Sequence, residues 1–338
     1  MKILFVNEFL CYGGAEQHIF TLRGGLESRG HQTAIVTKFI DAQRKVGGGD
    51  YATFPEALRR FQPDLVHLHN VHAMLPELAF VVGMRIPHVL SLHDYWPFCP
   101  LRMGLLQRHV CKQPCGAKCS FARTVSRVPR ELTQAAQVRV AFNPYSAEIY
   151  RSHSIECEVI PHGISVDLFK PAPIKKAQVV FLASQRGYLE KGEDYFDMIM
   201  GREKYLAHKV IGKPHAEVRQ ALAESLVFMH TGYYEEPFCL AIVEAMASGC
   251  AVLSFDVAGA RSIITRGTGL LFPVADCRGM RIALEELLND PREAIAMGKR
   301  ARNHVLEHFN SQRMAEDYER LYQRIHKAET AKVGVCGS

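Results

Sequence analysis

Residues 235–250 read EEPFCLAIVEAMASGC, with Glu236 and Glu244 eight positions apart around an apolar run. If the stretch is helical the two carboxylates cannot touch, because they stand ~12 Å apart along the axis and turned by ~80°. Pro237 suits the first turn of a helix, which leaves Glu236 in the preceding loop and Glu244 about two turns in. The helix start between them then offers free N–H groups from Phe238, Cys239 and Leu240, and an anion fits there. The flanking carboxylates can accept hydrogen bonds from hydroxyls. A ligand with hydroxyls at both ends and phosphate in the middle is a sugar nucleotide.

Outward from this stretch, short apolar runs alternate with helical patterns, the mark of βαβ units and parallel sheets. KILFV, TAIVT, DLVHL, HVLSL, VRVAF and CEVI are the expected strands of a first half. QVVFLA, HKVI, SLVFM, AVLSF and GLLF are those of a second. Ile19, Leu22 and Leu26 recur at helical spacing between the first two strands, as a crossover helix requires. The pattern breaks at PHGISVDLFKPAPIKK, 161–176, where three prolines and a glycine interrupt it. The expectation is an α/β chain of two Rossmann-like, doubly wound domains, 1–165 and 166–310, facing across a cleft. A last helix, 311–326, places Met314, Tyr318, Leu321, Tyr322 and Ile325 on one apolar face.

The chain has 338 residues and 48% hydrophobic content, enough for two buried cores. A net charge of +6 does not call for nucleic acid and is compatible with phosphate-bearing ligands. MKILFVNEF reads as a first strand rather than a signal peptide, and no apolar run reaches membrane-spanning length. The expected location is therefore cytoplasmic.

In open parallel sheets, ligands bind beyond the carboxyl ends of the strands. Polar residues gather at those ends here: Asn7 and Glu8, His69 and Asn70, His93 and Asp94, Asn143, His162, and His230 with Thr231. Any one of these is what a polar loop supplies. Six together point to a ligand site. In CYGGAEQH, Gly13 and Gly14 open a helix and let backbone N–H groups come close to a phosphate, although the dinucleotide fingerprint G-x-G-x-x-G is missing. In SQRGYLEKGED, Arg186 and Lys191 follow the first strand of the second half. Two cations at a strand end suit a diphosphate.

E-x7-E followed by AMASG, GGAE near the start, R-x4-KG after the linker and HD after a first-half strand together resemble the retaining GT-B glycosyltransferases. The likeness is to the group 1, or family 4, type that includes sucrose-phosphate synthase-like and bacterial mannosyl- and glucosyltransferases. It runs from residue 1 to about 326, where HFNSQRMAEDYERLY matches the closing helix that crosses back to the first domain. The resemblance implies a retaining hexosyltransferase that uses a nucleotide-sugar donor, UDP- or GDP-linked, with no cofactor and no catalytic metal. Glu236 would hold hydroxyls of the donor sugar, and the amides of Phe238, Cys239 and Leu240 would face sugar and phosphate. Glu244 would hold the ribose, while Arg186 and Lys191 would neutralise the leaving diphosphate. His93 would lie beside the reacting carbon, with Gly13 and Gly14 lining the same loop. Cys239 stands where the family usually has glycine, and Ser165 where aspartate is common. The short span between Lys191 and HKVIG implies a second domain lacking about one βα unit.

The segment CPLRMGLLQRHVCKQPCGAKC follows HDYW and would sit on the acceptor side. Cys99, Cys111, Cys115 and Cys119 could bind a structural zinc, although their spacing is wider than the usual C-x2-C; unliganded cysteines are the plainer reading. Residues 99–130 hold seven Lys or Arg and no Asp or Glu, which suits either a solvated loop or contact with an acidic or lipid-linked acceptor and an anionic membrane face. Two alternatives to transfer stand beside it. One is a non-catalytic sugar-nucleotide or glycan-binding module; the other, disfavoured by E-x7-E with R-x4-KG, is a sugar-nucleotide epimerase.

Overall fold

The computed structural model describes residues 1–9, 13–39, 49–71, 73–99, 105–106, 109–110, 128–183 and 191–335. The chain divides into two compact units: Met1–Gly104, Cys111–Gly163 and Ser311–Ser338 form one, and Leu105–Val110 with Ile164–Asn310 the other.

The first unit is built on six parallel strands: β1 (Lys2–Phe9), β2 (Gln32–Phe39), β3 (Leu65–Leu68), β4 (His88–Ser91), β7 (Val138–Ala141) and β8 (Glu158–Val159). Their order is β2-β1-β3-β4-β7-β8. Between β4 and β7 lies a separate two-stranded antiparallel pair, β5 (Leu105–Leu106) and β6 (His109–Val110). Helices α1 (Gly14–Glu27), α2 (Phe54–Phe61), α3 (Leu75–Gly83), α4 (Val128–Ala135) and α5 (Pro144–Ser152) connect the strands. β3 and β4 are buried along their whole length, which is why they read as unbroken apolar runs. Local signals set the helix starts. Thr53 caps α2 by accepting from the Glu56 amide, with Pro in the first turn. Asn143 does the same for α5, accepting from Ser146 N–H at 2.7 Å. Asn143 is one of the polar residues expected at the strand ends, and its side chain serves as this cap. Asn7 and Glu8 are also engaged locally: Asn7 donates to Glu16 and accepts from the Asn70 amide, and Glu8 accepts from the Ala73 amide.

The second unit holds five parallel strands: β9 (Lys176–Ala183), β10 (Ala207–Ile211), β11 (Ser225–His230), β12 (Ala251–Phe255) and β13 (Leu270–Phe272). Their order, β10-β9-β11-β12-β13, is the five-stranded doubly wound order. Against the six-stranded order of a full dinucleotide fold it is one outer strand and helix short, as the brief span after Lys191 implied. Its helices are α6 (Glu193–Met200), α7 (His215–Glu224), α8 (Leu240–Ala247), α9 (Ala258–Ile263), α10 (Cys277–Asn289) and α11 (Pro291–His308), with a 3-10 turn at Gly201–Leu206. Phe181, Phe196, Val227, Met229, Leu253 and Leu284 lie in its core.

The last helix, α12 (Ser311–Val335), belongs to the first unit. It is longer than the expected 311–326, and Met314, Tyr318, Leu321, Tyr322 and Ile325 are all buried on its inner face. None of the described helices is long and apolar enough to cross a membrane.

Candidate functional site

In the second unit, the carboxyl ends of β9 and β11 bring Lys191, His230 and Glu236 together. Gly192 makes this approach work. It adopts a left-handed φ of 70°, and a Cβ there would meet the Thr231 carbonyl oxygen at 1.9 Å. In return the Thr231 hydroxyl donates to the Gly192 carbonyl at 2.7 Å. The loop carrying Lys191 is thereby pinned to the end of β11. Lys191 Nζ donates to Glu236 Oε1 at 2.8 Å and lies 5.4 Å from the centre of the Tyr234 ring, a cation–π distance.

Glu236 is almost enclosed. Burial alone would raise its carboxyl, but the Lys191 ammonium, followed by His230, overrides this and holds it at about 2. It is therefore a fixed carboxylate. Glu244, on α8, is in the opposite condition. Burial pushes its carboxyl up to about 8, with Arg219 opposing only in part. At neutral pH Glu244 is mostly a protonated acid that can donate as well as accept. The two acids of one motif thus stand in different charge states.

The start of α8 differs from expectation. Cys239, not Glu236, is the N-cap, so Pro237 and Phe238 lie in the loop and Glu244 is little more than one turn into the helix. Phe238 is buried, with its ring 5.9 Å from that of Phe309, and this packing draws the chain in before the helix can begin. The opening amides of the helix are those of Leu240 and its successors, rather than those of Phe238 and Cys239. Gly259 on α9 closes the loop from the other side: a Cβ there would meet the Glu236 carbonyl at 2.8 Å and the Cys239 nitrogen at 3.0 Å. Glu235 fastens the same loop by accepting from the Ala258 amide at the start of α9. The Cys239 thiol is raised by burial and the neighbouring Glu236 charge, so it is a neutral SH. Arg186 lies outside the described residues, as do Cys111, Cys115 and Cys119. Cys99 is buried and not disulfide-bonded.

In the first unit, Gly13 is the extended N-cap of α1 and Gly14 its first residue. Glu16 folds back over them, its carboxylate where a Gly13 Cβ would fall. His93, after β4, joins a group of imidazoles the sequence reading had not assembled. His93 Nε2 lies 2.9 Å from His69 Nδ1, and His18 Nδ1 lies 2.5 Å from His162 Nδ1. His67 is held between the Tyr322 hydroxyl at 2.6 Å and the Ser91 hydroxyl at 2.8 Å. His18, His67, His69 and His162 are all pushed well below the usual imidazole range, first by burial and then by neighbouring imidazoles, His93 among them. These four rings are neutral at pH 7. The signal available was the His67–x–His69 alternation of a strand, which puts both rings on one face. Two groups of described residues have ligand atoms within 4.8 Å of one another and could hold a metal: His18, His69 and His93; and His230, Glu236 and Cys239.

Comparison with known proteins places these features. Residues 12–168 match the model "Glycosyltransferase Family 4", and residues 202–304 match "Glycosyl transferases group 1". The chain is a GT-B glycosyltransferase. The glycosyltransferase is 23% identical to the phosphatidyl-myo-inositol mannosyltransferase of Mycolicibacterium smegmatis, over 96% of this chain and 94% of that protein. It is 37% identical to N-acetyl-alpha-D-glucosaminyl L-malate synthase of Bacillus anthracis, but over 92 residues only, 27% of this chain and 24% of that one. Its fold matches that of Anabaena HepE, solved in complex with UDP-glucose, with a TM-score of 0.72 at 17% identity. That match covers 98% of this chain and all of that one.

Proposed function

We propose that the protein is a retaining hexosyltransferase whose second unit binds a nucleotide sugar, UDP- or GDP-linked, and that turnover needs no metal. The observation that carries this is the Lys191–Glu236 pair: a cation and a permanently ionised carboxylate held 2.8 Å apart at the carboxyl ends of a parallel sheet. A cation there suits the diphosphate, and the carboxylate suits the hydroxyls of the sugar attached to it. The binding of UDP-glucose by a protein of the same fold supports the choice of ligand.

In this reading the bond from the anomeric carbon to the diphosphate oxygen breaks through an oxocarbenium-like state. Lys191 and Arg186 neutralise the charge that accumulates on the leaving diphosphate. Glu236 orients the sugar. The acceptor hydroxyl attacks from the face the diphosphate leaves, and its proton passes to a leaving phosphate oxygen. Glu244 takes the ribose, where a protonated acid can donate to one hydroxyl and accept from another. The first amides of α8, with Phe238 and Cys239 before them, face the phosphate. His93, Gly13 and Gly14 keep the roles that the family resemblance implies for them. The acceptor is an acidic or lipid-linked molecule met by the basic segment 99–130, which suits peripheral attachment at the cytoplasmic face of a membrane.

The five-stranded second sheet favours one other reading, a nucleotide-sugar-binding module without turnover. Incubation with a panel of nucleotide sugars, reading free nucleoside diphosphate and the anomeric proton of any product, separates the two. Release with a retained anomer supports transfer. Binding with no release, for every donor and with membrane lipid extract as acceptor, refutes it.

A further inference from the structure

The His230 ring has a defined tautomer. The Ser254 hydroxyl donates its hydrogen to the Phe255 carbonyl at 2.8 Å, so towards His230 Nδ1, 3.0 Å away, it can only accept. His230 therefore carries a proton on Nδ1. In the neutral ring the Nε2 lone pair points out towards Glu236 Oε2 at 3.7 Å. Both Nε2 and Oε2 are buried, and neither has a hydrogen-bond partner among the described residues. With both atoms buried, something positive has to lie between them, a proton on Nε2 in the metal-free protein or a cation in its place, because two facing lone pairs cost energy. The Cys239 sulfur completes the group, its ligand atom within 4.8 Å of the other two.

We propose that His230 Nε2, Glu236 Oε2 and Cys239 Sγ form a binding site for a zinc-class divalent cation, and that its occupancy excludes the donor sugar. Nitrogen, carboxylate oxygen and thiolate sulfur are the ligand set that zinc takes, with a fourth position left to water. Bonds of about 2.0–2.1 Å to N and O at a tetrahedral angle span ~3.4 Å, so the 3.7 Å between Nε2 and Oε2 needs only a few tenths of an ångström of closure, and the sulfur, within 4.8 Å of both, closes by no more than about 1.2 Å. The Ser254 contact supplies the orienting outer-shell partner that metal-bound histidines require. Lys191 remains on Oε1, and Oε2 serves the metal. Binding releases the Cys239 thiol proton to solvent and leaves a thiolate–carboxylate pair opposite the dication. Exclusion of the sugar rests on the donor reading above, because Glu236 cannot hold metal and sugar hydroxyls through one oxygen. Metal binding itself does not rest on that reading.

The test uses the full-length, metal-free, reduced protein, titrated with zinc by calorimetry and with cobalt by absorption, beside Cys239→Ser and His230→Gln. Cysteines elsewhere contribute equally to all three proteins, so the comparison isolates this site. Wild type takes up one more tight equivalent than either variant, with a thiolate-to-cobalt charge-transfer band that Cys239→Ser reduces. Affinity at the site falls by about a hundredfold or more, since loss of an outer-shell partner alone costs 10–100-fold. Should His230→Gln fail to fold, Ser254→Ala removes only the orienting hydroxyl and weakens zinc by about 10–100-fold. Equal uptake by all the folded proteins overturns the site. In the second arm, saturating zinc abolishes the thermal stabilisation given by a nucleotide sugar in wild type, and Ser254→Ala needs about 10–100-fold more zinc for the same loss; unchanged stabilisation in wild type overturns the exclusion. Absence of any nucleotide-sugar stabilisation before zinc is added is a failure of the donor reading, and the metal titration then decides the site by itself.

Discussion

Removing the Lys191 ammonium leaves a nearly enclosed carboxylate with its nearest cation gone. The Glu236 carboxyl is held at about 2 against an ordinary 4.5, although burial pushes it the other way, and the first cause of the depression is Lys191. Both side chains are well under a third exposed, at 23% and 15%, so solvent screening is limited. A depression of that size corresponds to ~3 kcal/mol. Part of it belongs to His230, so Lys191→Ala costs about 2–3 kcal/mol of stability at pH 7, at the lower edge of what breaking a buried pair costs. Because the pair lowers a carboxyl, its contribution is present above pH 4.5 and is lost as pH falls through 2. The deficit of Lys191→Ala therefore shrinks over that window. Lys191→Ala/Glu236→Gln leaves no buried charge and is more stable than Lys191→Ala alone. Urea unfolding of the four proteins of this cycle measures the coupling, expected at about 2 kcal/mol. A Lys191→Ala deficit under about 0.5 kcal/mol, or strict additivity in the cycle, refutes the reasoning, because surface pairs behave that way.

Glu244 gives the opposite sign. Its carboxyl is raised to about 8, so its stabilising contribution is full below pH 4.5 and disappears as pH rises through 8. Glu244→Gln, which imitates the protonated acid, flattens the stability profile between pH 5 and 9, with a ceiling of ~5 kcal/mol in wild type; a profile as steep as wild type counts against it. Gly192→Ala forces a Cβ onto the Thr231 carbonyl and an unfavourable left-handed φ, so it lowers the unfolding midpoint and weakens nucleoside diphosphate binding together. In kinetics with a working donor, Lys191→Ala lowers kcat by about a hundred- to a thousandfold. Glu236→Gln also lowers kcat, while Glu244→Gln mainly raises KM. The reverse pattern overturns the assignment of roles.

The fold was legible because its central strands, β3, β4, β11 and β12, are buried on both faces and so appear as short continuous apolar runs. Every expected strand is present, down to the three-residue β13. The start of α8 was not legible. Pro237 has a strong preference for a first helical turn, yet burial of Phe238 against the core outweighs it. The shortened second sheet followed from the brief span after Lys191, where there is no room for another strand and helix. The pairing of Lys191 with Glu236 joins residues 45 apart and depends on how two strand ends meet, which no local pattern records. The histidine group in the first unit was missed for the same reason. Its members come from β3, α1 and the ends of β4 and β8, and only the fold makes them neighbours.

The central claim is that the second unit binds a nucleotide sugar through its diphosphate. Thermal unfolding of wild type with uridine, guanosine and adenosine diphosphate at millimolar concentration tests it most directly. A ligand present at about a hundred times its dissociation constant adds ~2.7 kcal/mol to the folded state. One of the three raises the unfolding midpoint of wild type, and the rise is diminished in Lys191→Ala. No rise with any of them contradicts the account.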